Sequence, residues 1–317
     1  MNRALLVGID SYDNFAGLKG CVNDVLAIEP LLARNENGTP NFACRAMTTN
    51  TRRIERRDLL SAIDELFSPG ADVALFYFAG HGAPADSDVV LVTQDGAHND
   101  AGVPLSAILG KVQTSNVREA IIILDCCFSG AAGGVPQLSG NLAAIKEGVS
   151  ILTASRSDQP AAETPFHRGL FSVYLCGALD GGAADVLGKV NLSGVYAYLS
   201  ESFGPWNQRP TFKANVDRLH LLRSCSPAVP LDELRRLPDF FADPNSELGL
   251  DPSYEPDAEP DHPEHEAVFK ILQKCRSAKL VEPVGADHLF FAAIESKSCR
   301  LTPLGKLYHR MAALGQI

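Results

Sequence analysis

A histidine and a pair of cysteines stand at the ends of two short apolar runs. The first run is Val73-Ala74-Leu75-Phe76-Tyr77-Phe78-Ala79-Gly80, followed by His81-Gly82; the second is Ala120-Ile121-Ile122-Ile123-Leu124-Asp125, followed by Cys126-Cys127-Phe128-Ser129-Gly130. A thiol and an imidazole brought together form a nucleophile and its base, the pairing that drives cysteine-dependent acyl transfer. Imidazole titrates near neutrality, so His81 could take the thiol proton and hand it to a leaving amine. Glycine on both sides of His81 lets the backbone come close to a substrate. Two adjacent cysteines compete for the nucleophile role. Side chains alternate along a strand, so Cys126 and Cys127 point to opposite sides and only one can face a cleft. The other histidines have no such frame, and His98, His167 and His220 read as surface or core residues.

Both runs are short, rich in β-branched and aromatic residues and stopped by glycine, as fully buried strands are. Strands are expected near 4–9, 72–79, 119–125 and 149–154, and helices near 22–34, 55–67, 104–112 and 169–179. This alternation predicts an α/β fold, a three-layer domain around a mostly parallel sheet. In such sheets sites form at the carboxyl ends of strands, where His81 and Cys127 both lie. A helix over 193–203 and the segment Gln208-Arg209-Pro210-Thr211-Phe212 complete this domain, expected to span 1–222.

These motifs resemble the caspase-haemoglobinase fold, in particular the bacterial metacaspase-like proteins called orthocaspases. The resemblance rests on His81-Gly82, on Asp125-Cys126-Cys127-Phe128-Ser129-Gly130 about 45 residues later, and on two opening segments, Leu5-Leu6-Val7-Gly8-Ile9-Asp10-Ser11-Tyr12 and Leu18-Lys19-Gly20-Cys21-Val22-Asn23-Asp24-Val25. It covers most of residues 1–215. The family pattern Asp-x-Cys-x-Ser-Gly implies that Cys127 is the nucleophile and His81 its partner. The backbone N–H groups of Gly82 and Cys127 are then the expected oxyanion donors.

The resemblance also implies a specificity. Asp24 and Asp125 match the positions that form an acidic pocket in metacaspases, which predicts cleavage of proteins after arginine, then lysine. An aspartate substrate would be repelled there. The lesser alternative for Asp24 is an ordinary acid stabilised at a helix N-terminus. Ser155, in the stretch 155–163, matches a substrate-lining loop. Two departures stand out. Phe128 replaces the histidine usual after the nucleophile, and Gly134 stands where many metacaspases place a calcium-binding aspartate. Asp86, Asp88 and Asp95 offer oxygen ligands but no EF-hand spacing, so calcium dependence is not expected, nor is any other cofactor. Family members are often activated by self-cleavage, for which Lys146, Arg156 and Arg168 are candidate sites.

Composition bounds the rest. At 317 residues with 45% hydrophobic content, the chain can build about two domains with a sizeable core. The opening apolar run is too short for a signal peptide or membrane helix, so a cytoplasmic protein with no membrane partner is expected. Its eight cysteines form no CxxC pairs, and neither zinc nor disulfides are indicated. The net charge of −10 argues against the whole chain binding nucleic acid. Residues 243–264 hold eight acidic residues and five prolines and no lysine or arginine, which reads as part of a solvated linker over 223–263. Residues 264–317 then resemble a small winged-helix-like module: a helix over 264–277, a strand over 289–294, and a last helix capped by Thr302 and begun by Pro303. The leading expectation is an Arg/Lys-directed cysteine endopeptidase in bacterial stress or defence signalling, activated by a protein partner through the C-terminal module. The alternative is a catalytically weak scaffold or regulator with the same fold.

Overall fold

Burial on both faces decides where the central sheet lies. The computed structural model describes residues 1–85, 88–97, 100–126, 145–154, 168–203, 210–217, 219–257 and 259–317. They divide into two units, Met1–Ala184 with Lys189–Cys225, and Asp185–Gly188 with Ser226–Ile317.

The first unit runs β1 (Asn2–Gly8), α1 (Cys21–Ala33), β2 (Phe42–Thr48), α2 (Arg56–Leu66), β3 (Val73–Gly80), β4 (Gly82–Ala85), β5 (Asp88–Ala97), β6 (Asp100–Pro104), α3 (Leu105–Thr114), β7 (Glu119–Cys126), β8 (Val149–Thr153), α4 (Leu170–Gly177), β9 (Lys189–Asn191), α5 (Leu192–Phe203), β10 (Thr211–Asn215) and β11 (Leu221–Ser224). Six strands form one sheet in the order β10-β8-β7-β3-β1-β2. All neighbours are parallel except β10, which runs antiparallel to β8. Every residue of β3 is buried, as expected of a central strand with helices on both faces.

The two faces separate cleanly by the period of two. Phe76, Phe78, Ile122, Leu124 and Cys126 pack with Leu59 and Ile63 of α2 and Ile108 and Val112 of α3. Leu75, Tyr77, Ile121 and Ile123 face the other way, against Val25 and Ile28 of α1, Phe171 and Leu175 of α4, and Val195 and Leu199 of α5. This is the expected three-layer architecture. Asp10, just past β1, orients the first helix by accepting hydrogen bonds from the N–H groups of Cys21 (2.9 Å) and Val22 (3.4 Å). Strand β2 and the antiparallel sheet β4-β5-β6 add to the expected elements.

The second unit contains α6 (Leu231–Leu234), α7 (Leu237–Phe240), β12 (Glu247–Gly249), α8 (Pro263–Ser277), β13 (Val281–Val284), α9 (Leu289–Ile294), β14 (Ser298–Leu301) and α10 (Pro303–Ala313), with an antiparallel sheet ordered β12-β14-β13. Thr302 caps α10 as expected, its Oγ1 accepting from Gly305 N–H at 3.0 Å. Two expectations change here. Residues 223–263 are not a linker: Arg223 belongs to β11, and Val229, Leu234, Leu237, Phe241, Leu250 and Tyr254 are buried in the core of the second unit. The acids and prolines lie between these sparse apolar anchors, so the averaged composition concealed them. Residues 289–294 are helix rather than strand, because the buried positions are Leu289, Ala292 and Ala293, at helical spacing. Among the described residues no helix is long and apolar enough to cross a membrane.

Candidate active site

Strand register brings the two motifs together. Along the β3–β7 ladder Ala79 pairs with Asp125 and Gly80 with Cys126, so His81 leaves β3 beside the end of β7. Cys126 is buried among Leu124 and Phe78 on the α2–α3 face of the sheet. Cys127 and Ser155 lie outside the described residues, as do Asp86, Arg156, His98 and His167.

His81 is held from three directions. Its backbone N–H donates to Tyr12 Oη at 2.8 Å, and that hydroxyl donates in turn to the Ile9 carbonyl at 3.0 Å. Its carbonyl accepts from Val92 N–H at 3.0 Å. The Tyr12 ring stands 4.8 Å from the imidazole, centroid to centroid. Gly80 makes room for this arrangement, because a first side-chain carbon there would lie 2.8 Å from the Tyr12 hydroxyl. Nε2 is 2.8 Å from the Ala16 carbonyl. A carbonyl only accepts, so Nε2 carries the hydrogen and Nδ1 is the basic nitrogen of the neutral ring. Gly82 opens β4, buried and paired with Leu91.

A second cluster lies on the α1–α4 face. Asp24, in the first turn of α1, and Asp125, next to last in β7, are both buried. Gly169 brings them together: a first side-chain carbon at that position would fall 3.1 Å from Asp24 Oδ2 and 3.3 Å from Asp125 Oδ2. The Asp24 carboxylate accepts from Gly169 N–H at 3.1 and 3.2 Å and from the Ser172 hydroxyl, and Arg168 Nε lies 3.5 Å from Oδ1. Tyr77 Oη donates to Asp125 Oδ2 at 3.0 Å. Burial pushes the Asp24 carboxyl up to about 6, against the pull of Ser172, Gly169 and Arg168. Burial and then the charge of Asp24 push Asp125 up to about 8, opposed by Tyr77 and Arg168. Two carboxylates this close in a covered site favour any cation that can reach them. Burial, then Asp10 and this acidic pair, also raise the Cys21 thiol.

The family model described as the caspase domain matches residues 1–218. The chain belongs to the caspase-domain family. Among curated relatives, Metacaspase-1 of Mycosarcoma maydis is 24% identical over 217 residues, covering 61% of this chain and 53% of that protein. Metacaspase-1 of Plasmodium falciparum is 30% identical over 149 residues, covering 41% of this chain and 24% of its own length. The chain thus spans about half of one relative and a quarter of the other. The structure of Caspase-1 from Spodoptera frugiperda superposes with a TM-score of 0.51 at 11% identity, over 71% of this chain and 90% of that one. A Geobacter sulfurreducens protein superposes with the same score of 0.51 at 16% identity, over 68% and 94%. At 11% identity the Spodoptera structure shows the caspase fold and nothing finer.

Within this fold the expected acidic pair converges, and its supports are residues that motif reading passed over: Tyr77, Gly169 and Ser172. The signal for Tyr77 was a hydroxyl in an otherwise apolar strand, which once buried needs a partner. Asp88 accepts from Ser106 N–H at 3.3 Å, and Asp95 accepts from Arg56 N–H and Thr93 Oγ1 at 3.0 and 2.7 Å, so both acids are engaged within the fold. Among the described residues no group of three or more His, Cys, Asp or Glu side chains is placed to hold a metal ion. Lys146 lies before β8, at the opposite end of the sheet from His81, donating to the Ser115 carbonyl at 2.7 Å. His220 stands 3.6 Å from Glu119 at the start of β7, in the fold rather than the site.

Proposed function

We propose that the chain is a cysteine endopeptidase that cleaves proteins after arginine, and less readily after lysine, with Cys127 as nucleophile and His81 as base. The observation that carries the reading is the pair of buried carboxylates, Asp24 and Asp125, on the face of β7 opposite Cys126. The residue that follows Cys126 is the remaining thiol of the motif, and the family pattern Asp-x-Cys-x-Ser-Gly supports it as the nucleophile. His81 Nδ1 takes the thiol proton as sulfur attacks the scissile carbonyl carbon. The developing oxyanion is received by the Gly82 and Cys127 N–H groups. The imidazolium then protonates the leaving amine, and a water activated by the same ring hydrolyses the thioester. The substrate guanidinium is seated between Asp24 and Asp125, with Ser155 lining the approach.

In this reading turnover needs no calcium. A protein partner acting through the second unit, and a cytoplasmic role in bacterial stress or defence signalling, belong to the same proposal. The test is hydrolysis of fluorogenic peptides ending in Arg, Lys or Asp by wild type and Cys127→Ala, with calcium and with a chelator. Cleavage after Arg that disappears in the variant and persists in chelator is expected. Cleavage after Asp would overturn the acidic pocket, and silence with every peptide and added partner would leave the scaffold function instead.

A further inference from the structure

The acidic pocket already contains an arginine. Arg168 precedes α4, and its guanidinium turns back onto the pocket: Nε is 3.5 Å from Asp24 Oδ1, and Nη2 is 3.2 Å from Cys176 Sγ and 3.5 Å from the Ser172 carbonyl. Its side chain is 25% exposed, against 3% for that of Asp24. The next residue supplies the Gly169 N–H that holds the Asp24 carboxylate. The charge of Arg168 favours the ionised forms of both Asp24 and Asp125. A guanidinium facing two carboxylates is the chemistry a substrate arginine would bring, here supplied by the chain itself.

The contact that Nε makes with Asp24 is a long one. A charge-assisted N–H to carboxylate bond closes to about 2.7–2.9 Å, and paired guanidinium–carboxylate bonds are the stronger arrangement, whereas Arg168 Nε stands at 3.5 Å. An incoming guanidinium free to align with the carboxylates would form the shorter contacts. It would also restore the cation that the buried acids lose when Arg168 leaves, so exchange conserves the charge of the pocket while either cation alone satisfies it.

We propose that Arg168 is a resident, displaceable ligand of the Asp24–Asp125 pocket, and that a substrate arginine enters by exchanging with it. This rests on reading the pocket as the arginine-binding subsite. Arg168 then sets the affinity threshold of the enzyme: weakly held arginines are excluded, and substrates with further contacts along the chain displace it. A tethered ligand competes at an effective concentration of the order of millimolar, enough to weaken a small guanidinium probe about tenfold.

The test is calorimetric binding of N-acetylarginine amide to the full chain carrying Cys127→Ala, with and without Arg168→Ala. Removal of Arg168 should tighten binding about tenfold, and in the protein with Cys127 intact should lower KM for an Arg peptide by a similar factor with kcat little changed. Arg168→Gln is shorter but keeps a polar, hydrogen-bonding side chain without the charge; the same tightening is expected, so a folding defect in the alanine variant does not decide the matter. Equal or weaker probe binding in a folded Arg168→Gln protein, with binding still abolished by Asp24→Asn, would overturn the inference and leave the pocket standing. Probe binding unaffected by Asp24→Asn would overturn the pocket reading and this inference with it.

Discussion

The two ends of the central sheet treat charge in opposite ways. At the carboxyl ends of β3 and β7, Asp24 and Asp125 are buried beside each other, with Tyr77 and Cys21 pushed away from ionisation by the same surroundings. At the amino ends, Lys111 and Asp64 stand in solvent beside each other, Nζ 2.6 Å from Oδ1 with side chains 47% and 52% exposed, near an open cleft lined by Arg118, Lys146, Glu147 and Asp217. Exposed pairs contribute little to stability, and buried like charges oppose it. The fold tolerates the unfavourable arrangement at one end, the end that carries His81, and such clusters of perturbed groups are enriched at functional sites.

The largest expected effect is on the buried pair. Asp125→Asn preserves shape and an acceptor for Tyr77 but removes the charge, and should lower kcat/KM for Arg peptides about 100-fold, the order of one lost buried charge-assisted contact. Asp24→Asn should act similarly, while residual turnover of a peptide ending in a neutral residue changes little in either variant. An equal loss on every peptide would show that these acids hold the fold rather than select the substrate.

That pair also shows how far the sequence could be read. β3 and β7 were legible because continuous apolar runs leave a strand buried on both faces as the natural reading, and α1 to α3 followed from the alternation of elements. The convergence of Asp24 with Asp125 came only through family resemblance, since 101 positions separate them. Gly169 and Ser172, which seat Asp24, lie 145 and 148 positions away and carry no local signal. The sheet β4-β5-β6 escaped notice because its strands mix glycine, aspartate and proline with valine. In the second unit the six apolar residues of α9 suit helix and strand equally by pattern, and the anchors Leu250 and Tyr254 were outnumbered by acids.

A smaller effect follows from pH. Asp24 and Asp125 have folded-state values of about 6 and about 8, above the ordinary carboxylate value of 3.8. The folded chain therefore binds more protons than the unfolded chain between those values. The stabilisation is complete below the unfolded value and is lost as pH rises through 6 to 8. The melting temperature of the first unit should fall by about 10 °C between pH 5.5 and 8.5, since the two carboxyls together lose about 4 kcal/mol there at about 1.4 kcal/mol per pH unit per proton. Asp125→Asn should flatten most of that fall. Arginine binding prefers the ionised pair, so KM for Arg peptides should drop over the same window in which stability declines. A wild-type and a variant curve that run parallel would mean that the pair titrates elsewhere.

The smallest effect tests the other end. Lys111→Ala removes the partner of Asp64 where both side chains are about half exposed. Such a pair contributes about 0.2–1 kcal/mol, and high salt screens most of it. The melting temperature should shift by at most about 2–3 °C in dilute buffer and by less in 0.5 M salt, with kcat/KM for Arg peptides unchanged. The salt arm is what makes the comparison sharp. Ion pairs in water weaken as salt is added, whereas the buried carboxylates exclude the counterions that would screen them. If Lys111→Ala altered Arg cleavage, the two ends of the sheet would be coupled through α3 and β7, and the division between a chemical end and a solvated one would fail.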